Sequence, residues 1–392
     1  MEFRKLWLLD KQVTFLNHGS FGACPGAVLE KQSALREELE REPVRFLAMN
    51  LEAMLDDARA TLAEFIGADP EGVAFVPNAT TAVNTVLRSL DLRPDDELLT
   101  TNHAYPACLN AINYVAAISG ARAVIASVPF PLGSPADILD RVLRRVSSRT
   151  KLCVVDHVTS PTALIFPVSE LVRELKKKGV DTLVDGAHAP GMLPLDVREV
   201  GAAYYTGNCH KWLCAPKGAA FLYVAQERRK AIHPLSISLG AGSGRADRSR
   251  FHLEFDWVGT GDPSAYLCVP EAIKYMGSLL PTGWPEIMRL NHRKTLVARK
   301  VLCGSLGVPP PCPDELVGSM ASIPLPEGTS MAADSTGNND PVHRELFERY
   351  RIEVPVIAWP SPPQRLIRVS AQLYNSAREY EALAQALGEL LA

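Results

Sequence analysis

Leu152-Cys153-Val154-Val155, Thr182-Leu183-Val184, Ala203-Tyr204-Tyr205-Thr206 and Ala220-Phe221-Leu222-Tyr223-Val224 are four short β-rich runs, and the residues between them carry helical patterns. Several of the runs are apolar at successive positions rather than at alternate ones. Strands buried on both faces read this way, as when helices cover both sides of a mostly parallel sheet. Upstream, Val73-Ala74-Phe75-Val76, Glu97-Leu98-Leu99-Thr100 and Ala123-Val124-Ile125-Ala126 extend the series. Strands alternating with helices predict an α/β fold, here with a mostly parallel seven-stranded sheet. Ligands of such sheets gather beyond the carboxyl ends of the strands. The residues just after these runs are unusually polar, which places the candidate chemistry there.

Working outward, Pro25 to Glu42 and Leu51 to Ile66 read as amphipathic helices, the second closed by Gly67. Pro263 to Leu280 and Pro285 to Leu306 are helical as well. A helix cannot cross Val308-Pro309-Pro310-Pro311-Cys312-Pro313, because proline lacks the amide donor and clashes with the preceding turn. The tail then predicts a strand (Ser319 to Leu325), a polar loop (Glu327 to Asp340), a helix (Val342 to Tyr350), strands over Ile352 to Ala358 and Leu366 to Ser370, and a last helix (Ser376 to Leu391). The expected organisation is an N-terminal segment over 1–24, a large domain over 25–262, and a smaller α+β domain over 263–392.

With 41 basic against 44 acidic residues, the chain as a whole has no strong electrostatic footprint for nucleic acid or an anionic membrane. No run approaches the roughly 20 apolar residues of a spanning helix, and the start lacks a secretory pattern, so a cytoplasmic location is expected. The eight cysteines lack paired C-x-x-C spacing. Cys209, His210 and Cys214 lie close together but supply no second pair, so no metal is expected. A small metabolite is the expected partner.

Pyridoxal 5′-phosphate asks for a lysine, a carboxylate for the ring nitrogen, an anion cradle and something flat against the ring. Each has a candidate at a strand end. Asp185, in Leu183-Val184-Asp185-Gly186-Ala187-His188-Ala189-Pro190, ends a buried strand where a lone charge is expensive and a pyridinium would pair it. Taken alone, a turn or capping role would explain it as well. Lys211, in Asn208-Cys209-His210-Lys211-Trp212, sits between a strand, an aromatic and a Pro-Lys-Gly turn. Burial there lowers an amine's pKa and frees it to attack a carbonyl. Asn78-Ala79-Thr80-Thr81 opens a helix after a strand, where free amides suit a dianion, although simple capping is the ordinary alternative. His103, in Asn102-His103-Ala104-Tyr105, is placed to stack on the ring, while a structural hydrogen bond is the commoner role for such a histidine. The same holds for His188 and Ser160.

Together with Leu16-Asn17-His18-Gly19-Ser20-Phe21-Gly22, Gly259-Thr260-Gly261-Asp262 and Arg368-Val369-Ser370-Ala371-Gln372-Leu373-Tyr374-Asn375, these segments resemble fold-type-I pyridoxal-phosphate enzymes of the class V aminotransferase superfamily. The isopenicillin N epimerase-like branch is the nearest in motif. The resemblance implies Lys211 as the Schiff-base lysine and general base, Asp185 as partner of the ring nitrogen, and His103 as the stacking residue. It implies His188 at the ring hydroxyl, and Ala79, Thr80, Asn208, His210 and Ser160 in cofactor binding. Thr260 is implied to reach the cofactor phosphate of a neighbouring subunit, hence a homodimer with shared sites. Arg368 is implied to grip the substrate α-carboxylate, with Asn17 and His18 at the substrate. The implied activity is epimerisation at the α-carbon of an amino acid. The alternatives are a carbon–sulfur lyase of the hercynylcysteine sulfoxide lyase type and a class V aminotransferase. Persulfide-forming desulfurase chemistry is disfavoured, because Leu316 to Ser322 has no cysteine and Cys312 lies in the proline-rich stretch. A ligand-sensing regulator is disfavoured too, since only about 70 residues precede the first sheet strand and they read as helices of the fold.

Overall fold

Seven strands form one sheet in the order Val73–Val76, Ala220–Val224, Tyr204–Asn208, Asp181–Asp185, Thr150–Asp156, Glu97–Thr101 and Arg122–Ala126. The structure, a computed structural model, describes residues 3–328 and 340–391. Only Ala220–Val224 runs against its neighbours, and the remaining pairings are parallel. The continuous apolar runs are explained by a period-two division of labour. Phe75, Cys153, Val155, Val184, Tyr205 and Phe221 enter one core. Ala74, Val76, Leu152, Val154, Leu183, Tyr204 and Leu222 enter the other, on the opposite face. Both faces are therefore dry. Arg122–Ala126 closes one edge and is the strand least buried.

Helices cover both faces. Leu51–Ile66 turns Leu51, Leu55, Ala58, Leu62 and Ile66 inward at helical spacing, and Gly67 ends it in the left-handed region at φ 62°. A three-stranded antiparallel sheet, Val356–Ala358, Arg365–Ser370 and Met320–Leu325, forms a second unit with its own core. The helices Trp284–Leu306, Pro341–Tyr350 and Ala377–Leu391 supply Ala298, Leu302, Leu346, Leu383 and Leu387 to that core.

Two expectations shift. The helix expected over Pro263 to Leu280 is two helices, Ser264–Leu267 and Val269–Gly277, and their Ala265, Val269 and Ala272 lie in the core of the large sheet. The strand expected over Ile352 to Ala358 is two pieces that serve different sheets. Ile352–Glu353 pairs with Thr14–Phe15 of the N-terminal segment, and Val356–Ala358 joins the small sheet. The polar loop after Glu327 falls mostly outside the described residues. Pairing of Thr14–Phe15 with the second unit, and of the Ser370 amide with Leu16 O at 2.9 Å, leads the N-terminal segment across the mouth of the large sheet. That route carries residues 18–22 to Lys211.

Candidate functional site

Asp156 and Asp185 are paired in register at the carboxyl ends of adjacent strands, beside Thr206 and Asn208 of the next one. Both carboxyls are buried. Asp185 accepts the Ala187 amide on Oδ1 at 3.0 Å and the Cys108 thiol on Oδ2 at 3.2 Å. Among the described residues it has no ion-pair partner. Burial raises its pKa, and burial followed by the neighbouring Asp185 raises that of Asp156 further. Burial thus makes a charge on Asp185 costly unless a cation pairs with it.

Lys211 lies in the turn after Tyr204–Asn208. Its Nζ is 3.2 Å from His188 Nε2, and burial, with Arg368 adding to the effect, pushes its pKa down to about 7. The turn is braced from the N-terminal segment. His18 Nε2 is 3.0 Å from the Lys211 carbonyl and its Nδ1 is 2.8 Å from the Tyr374 hydroxyl. Gly22 passes closest, at φ 71°, and a Cβ there would strike His210 O and sit 2.9 Å from Lys211 Cα. Gly22→Ala is expected to cost roughly 2–4 kcal/mol through left-handed strain and overpacking. Thermal unfolding of the variant against the parent measures it, and an unchanged midpoint would remove this brace from the account.

Arg368, on the central strand of the small sheet, is 3 % exposed and has no carboxylate partner among the described residues. Its Nη1 donates to Ser160 O and Oγ at 2.6 and 3.0 Å, and its Nη2 to Ser20 Oγ at 2.9 Å. Nε has no partner. Burial lowers its pKa to about 10, which leaves it a cation at neutral pH. Lys211 and Arg368 share a cavity of about 380 Å³ with Ser20, Phe21, Tyr105, Ser160 and Trp359. The Tyr105 hydroxyl is protonated at neutral pH, and partial burial raises its pKa further.

At the helix Ala79–Ser89, Asn78 Oδ1 caps the Thr81 amide at 2.8 Å, and Asn208 Oδ1 accepts the Ala79 amide at 2.9 Å. Thr80 at this N-terminus keeps its amide and hydroxyl free of partners among the described residues. His210 bonds Ala219 O through Nδ1 at 2.9 Å, so its Nε2 stays available. Thr80 and His210 could receive a dianion here. Ala79 and Asn208 instead bind one another and shape the cradle. Thr260 is exposed on the loop before Asp262.

Three expected site residues stand elsewhere. His103 is turned away from the cavity: it is fully buried against Phe166 and Trp359, with Nδ1 2.6 Å from Thr162 Oγ1 and Nε2 3.0 Å from Val128 O. Tyr105, two residues on, occupies the cavity wall. His18 uses both ring nitrogens behind Lys211, and burial lowers its pKa to about 3, so it braces the turn rather than facing a ligand. Asn17 donates to Glu353 Oε1 at 2.8 Å and accepts from Ser20 Oγ at 2.5 Å, which leaves Ser20 as the cavity residue of that segment. Ser160 lines the cavity, with its hydroxyl on Arg368. Cys312 is held by Arg299, which donates to its carbonyl at 2.9 Å, and it is absent from the cavity wall.

Residues 25–294 match the class-V aminotransferase family. Isopenicillin N epimerase of Streptomyces clavuligerus is 36% identical over 402 residues, covering 99% of this chain and 98% of that protein. A probable chloroplastic L-cysteine desulfhydrase of Arabidopsis thaliana is 31% identical, covering 97% and 84%. Among solved structures, a cystine C–S lyase in complex with cysteine persulfide superposes with a TM-score of 0.80 at 21% identity, covering 97% of this chain and 98% of that one. The last likeness shows the fold alone.

Proposed function

The chain belongs to the class-V aminotransferase family, and from that premise we propose that it binds pyridoxal 5′-phosphate and acts at the α-carbon of an amino acid, as an epimerase of the isopenicillin N type. The residues fit the cofactor. Asp185, a buried carboxyl with no ion pair among the described residues, suits a pyridine nitrogen; Lys211 suits the aldehyde; Thr80 and His210 suit the phosphate. Bound there, the ring supplies an electron sink for the α-carbon of an attached amine.

The observation that carries the proposal is the shared cavity. A lysine whose pKa is lowered to about 7, so that a substantial share is free amine at neutral pH, and a protonated phenol, Tyr105, line one space with a buried guanidinium lacking an anion. Arg368 orients an incoming carboxylate, and its bonds to Ser160 and Ser20 keep the fork fixed. Lys211 removes the α-proton, and Tyr105 is the second proton carrier that inversion calls for.

The L-cysteine desulfhydrase relatives, at 30% to 32% identity, favour a second reading, carbon–sulfur cleavage of a cysteine conjugate or its sulfoxide. Incubation with candidate amino acids in deuterated water separates the two. Deuterium at the α-carbon with inversion supports the epimerase. Release of pyruvate and ammonia contradicts it and supports the lyase. A new keto-acid formed only with an acceptor would instead indicate transamination.

A homodimer is part of the proposal. Thr260 is exposed, and the apolar side chains Leu235, Ile237, Leu239 and Val258 are 46%, 64%, 79% and 47% exposed on nearby segments. Light scattering is expected to give twice the chain mass of 42.7 kDa. A monomeric mass at micromolar concentration would remove Thr260 from the site.

A further inference from the structure

We infer that Trp212 is a positioning residue: by donating to Nδ1 of His188 it fixes that imidazole with its proton on Nε2, and so presents Lys211 with a donor that only a free amine can meet. The inference rests on Lys211 as the imine-forming lysine, and it concerns a residue with no expected role in binding or catalysis.

An indole nitrogen can only donate. Trp212 Nε1 lies 3.2 Å from His188 Nδ1, so Nδ1 accepts and carries no proton. A neutral imidazole then holds its single proton on Nε2. Nε2 lies 3.2 Å from Lys211 Nζ. The bond between them runs from Nε2–H to the nitrogen lone pair, which an ammonium does not have. An ammonium in that place would set N–H against N–H.

The alternatives are costly. His188 cannot take a second proton while the indole occupies Nδ1. Turning the ring over would leave the Trp212 N–H without an acceptor in a side chain only 1% exposed. Trp212 is itself held by packing, with its ring 4.8 Å from that of His18 and its flanks against Val158, Met192 and Met320. The other charges around Lys211 divide. Arg368 opposes an ammonium, whereas Asp185, Cys108 and Asp156 favour one. His18 and His210 are the further titratable neighbours of His188, and burial keeps both neutral at neutral pH. Burial is the largest effect on Lys211 and already favours the amine, and the Trp212–His188 pair adds to it.

The test uses the full-length protein without cofactor. Trp212→Phe keeps the aromatic bulk and deletes the donor. Competitive acetylation, read by mass spectrometry across pH, reports the fraction of free amine at Lys211. The parent is expected to show a midpoint near 7, and Trp212→Phe a midpoint higher by about one pH unit or more, because His188 can then accept from an ammonium. A purely structural tryptophan would leave the midpoint in place, and an unchanged midpoint overturns the inference. Should the variant not fold, nitrogen NMR of the parent with labelled histidine decides instead. An unprotonated Nδ1 at His188 supports the inference and a protonated one overturns it. Failure of Lys211 to form an imine with pyridoxal phosphate would sink the cofactor reading, while the acetylation midpoints would still judge the tautomer.

Discussion

Lys211→Ala is expected to abolish turnover, by about 10⁴-fold or more, and to remove every covalent trace of the cofactor. The size follows from two losses at one atom. Without Nζ there is no amine that would hold the cofactor's aldehyde, and no base to take the α-proton, a contribution worth about 10²–10⁴ by itself. The fold should tolerate the change. The Lys211 backbone is held by His18 through its carbonyl, and that bond survives truncation of the side chain. The measurement is steady-state activity together with far-ultraviolet circular dichroism. A folded variant with activity within tenfold of the parent would place the chemistry elsewhere.

Asp185→Asn is expected to be the next most damaging change, lowering kcat by about 10²–10³. The amide keeps the shape and can still accept from the Ala187 amide, so packing is preserved while the charge is lost. A neutral residue cannot hold a ring nitrogen protonated, and the electron demand on the α-carbon falls accordingly. The spectrum of the loaded variant should show the altered ring. Full activity in a loaded Asp185→Asn protein would mean that Asp185 only anchors the turn through Ala187.

Much of the fold was legible, because burial on both faces leaves a plain mark. Leu152 to Val155 and Ala220 to Val224 are apolar throughout, and both lie where their sequence put them. The segment Pro263 to Leu280 carries its own break in Pro270, which lacks an amide donor and suits the first turn of a helix; the structure ends one helix at Leu267 and opens the next at Val269, with Val269 and Ala272 packed on the large core.

The site was legible at strand ends and not in the turns between them. Asp185 and Lys211 follow buried strands directly, so sequence position alone located them. His103 and Tyr105 differ by two residues in a tight turn where the Ala104 amide bonds Thr101 O at 3.2 Å, and no periodicity says which of them faces inward. Nothing in the local sequence therefore singles out Tyr105. Ser20 was hidden similarly, since its role depends on Arg368, 348 positions away in the chain. The bracing of Lys211 by His18 and Tyr374 needs three distant segments to meet, which no local pattern encodes.

The central claim is that Lys211, and no other lysine, carries pyridoxal phosphate. Lys217 is the nearby rival, six residues along the chain and exposed just after Pro216. Borohydride reduction of the loaded parent protein, followed by proteolysis and mass spectrometry, tests the claim most directly. The account predicts one stable phosphopyridoxyl adduct per chain, on the peptide containing Lys211. An adduct on Lys217, or a loaded protein with no reducible lysine, would contradict it.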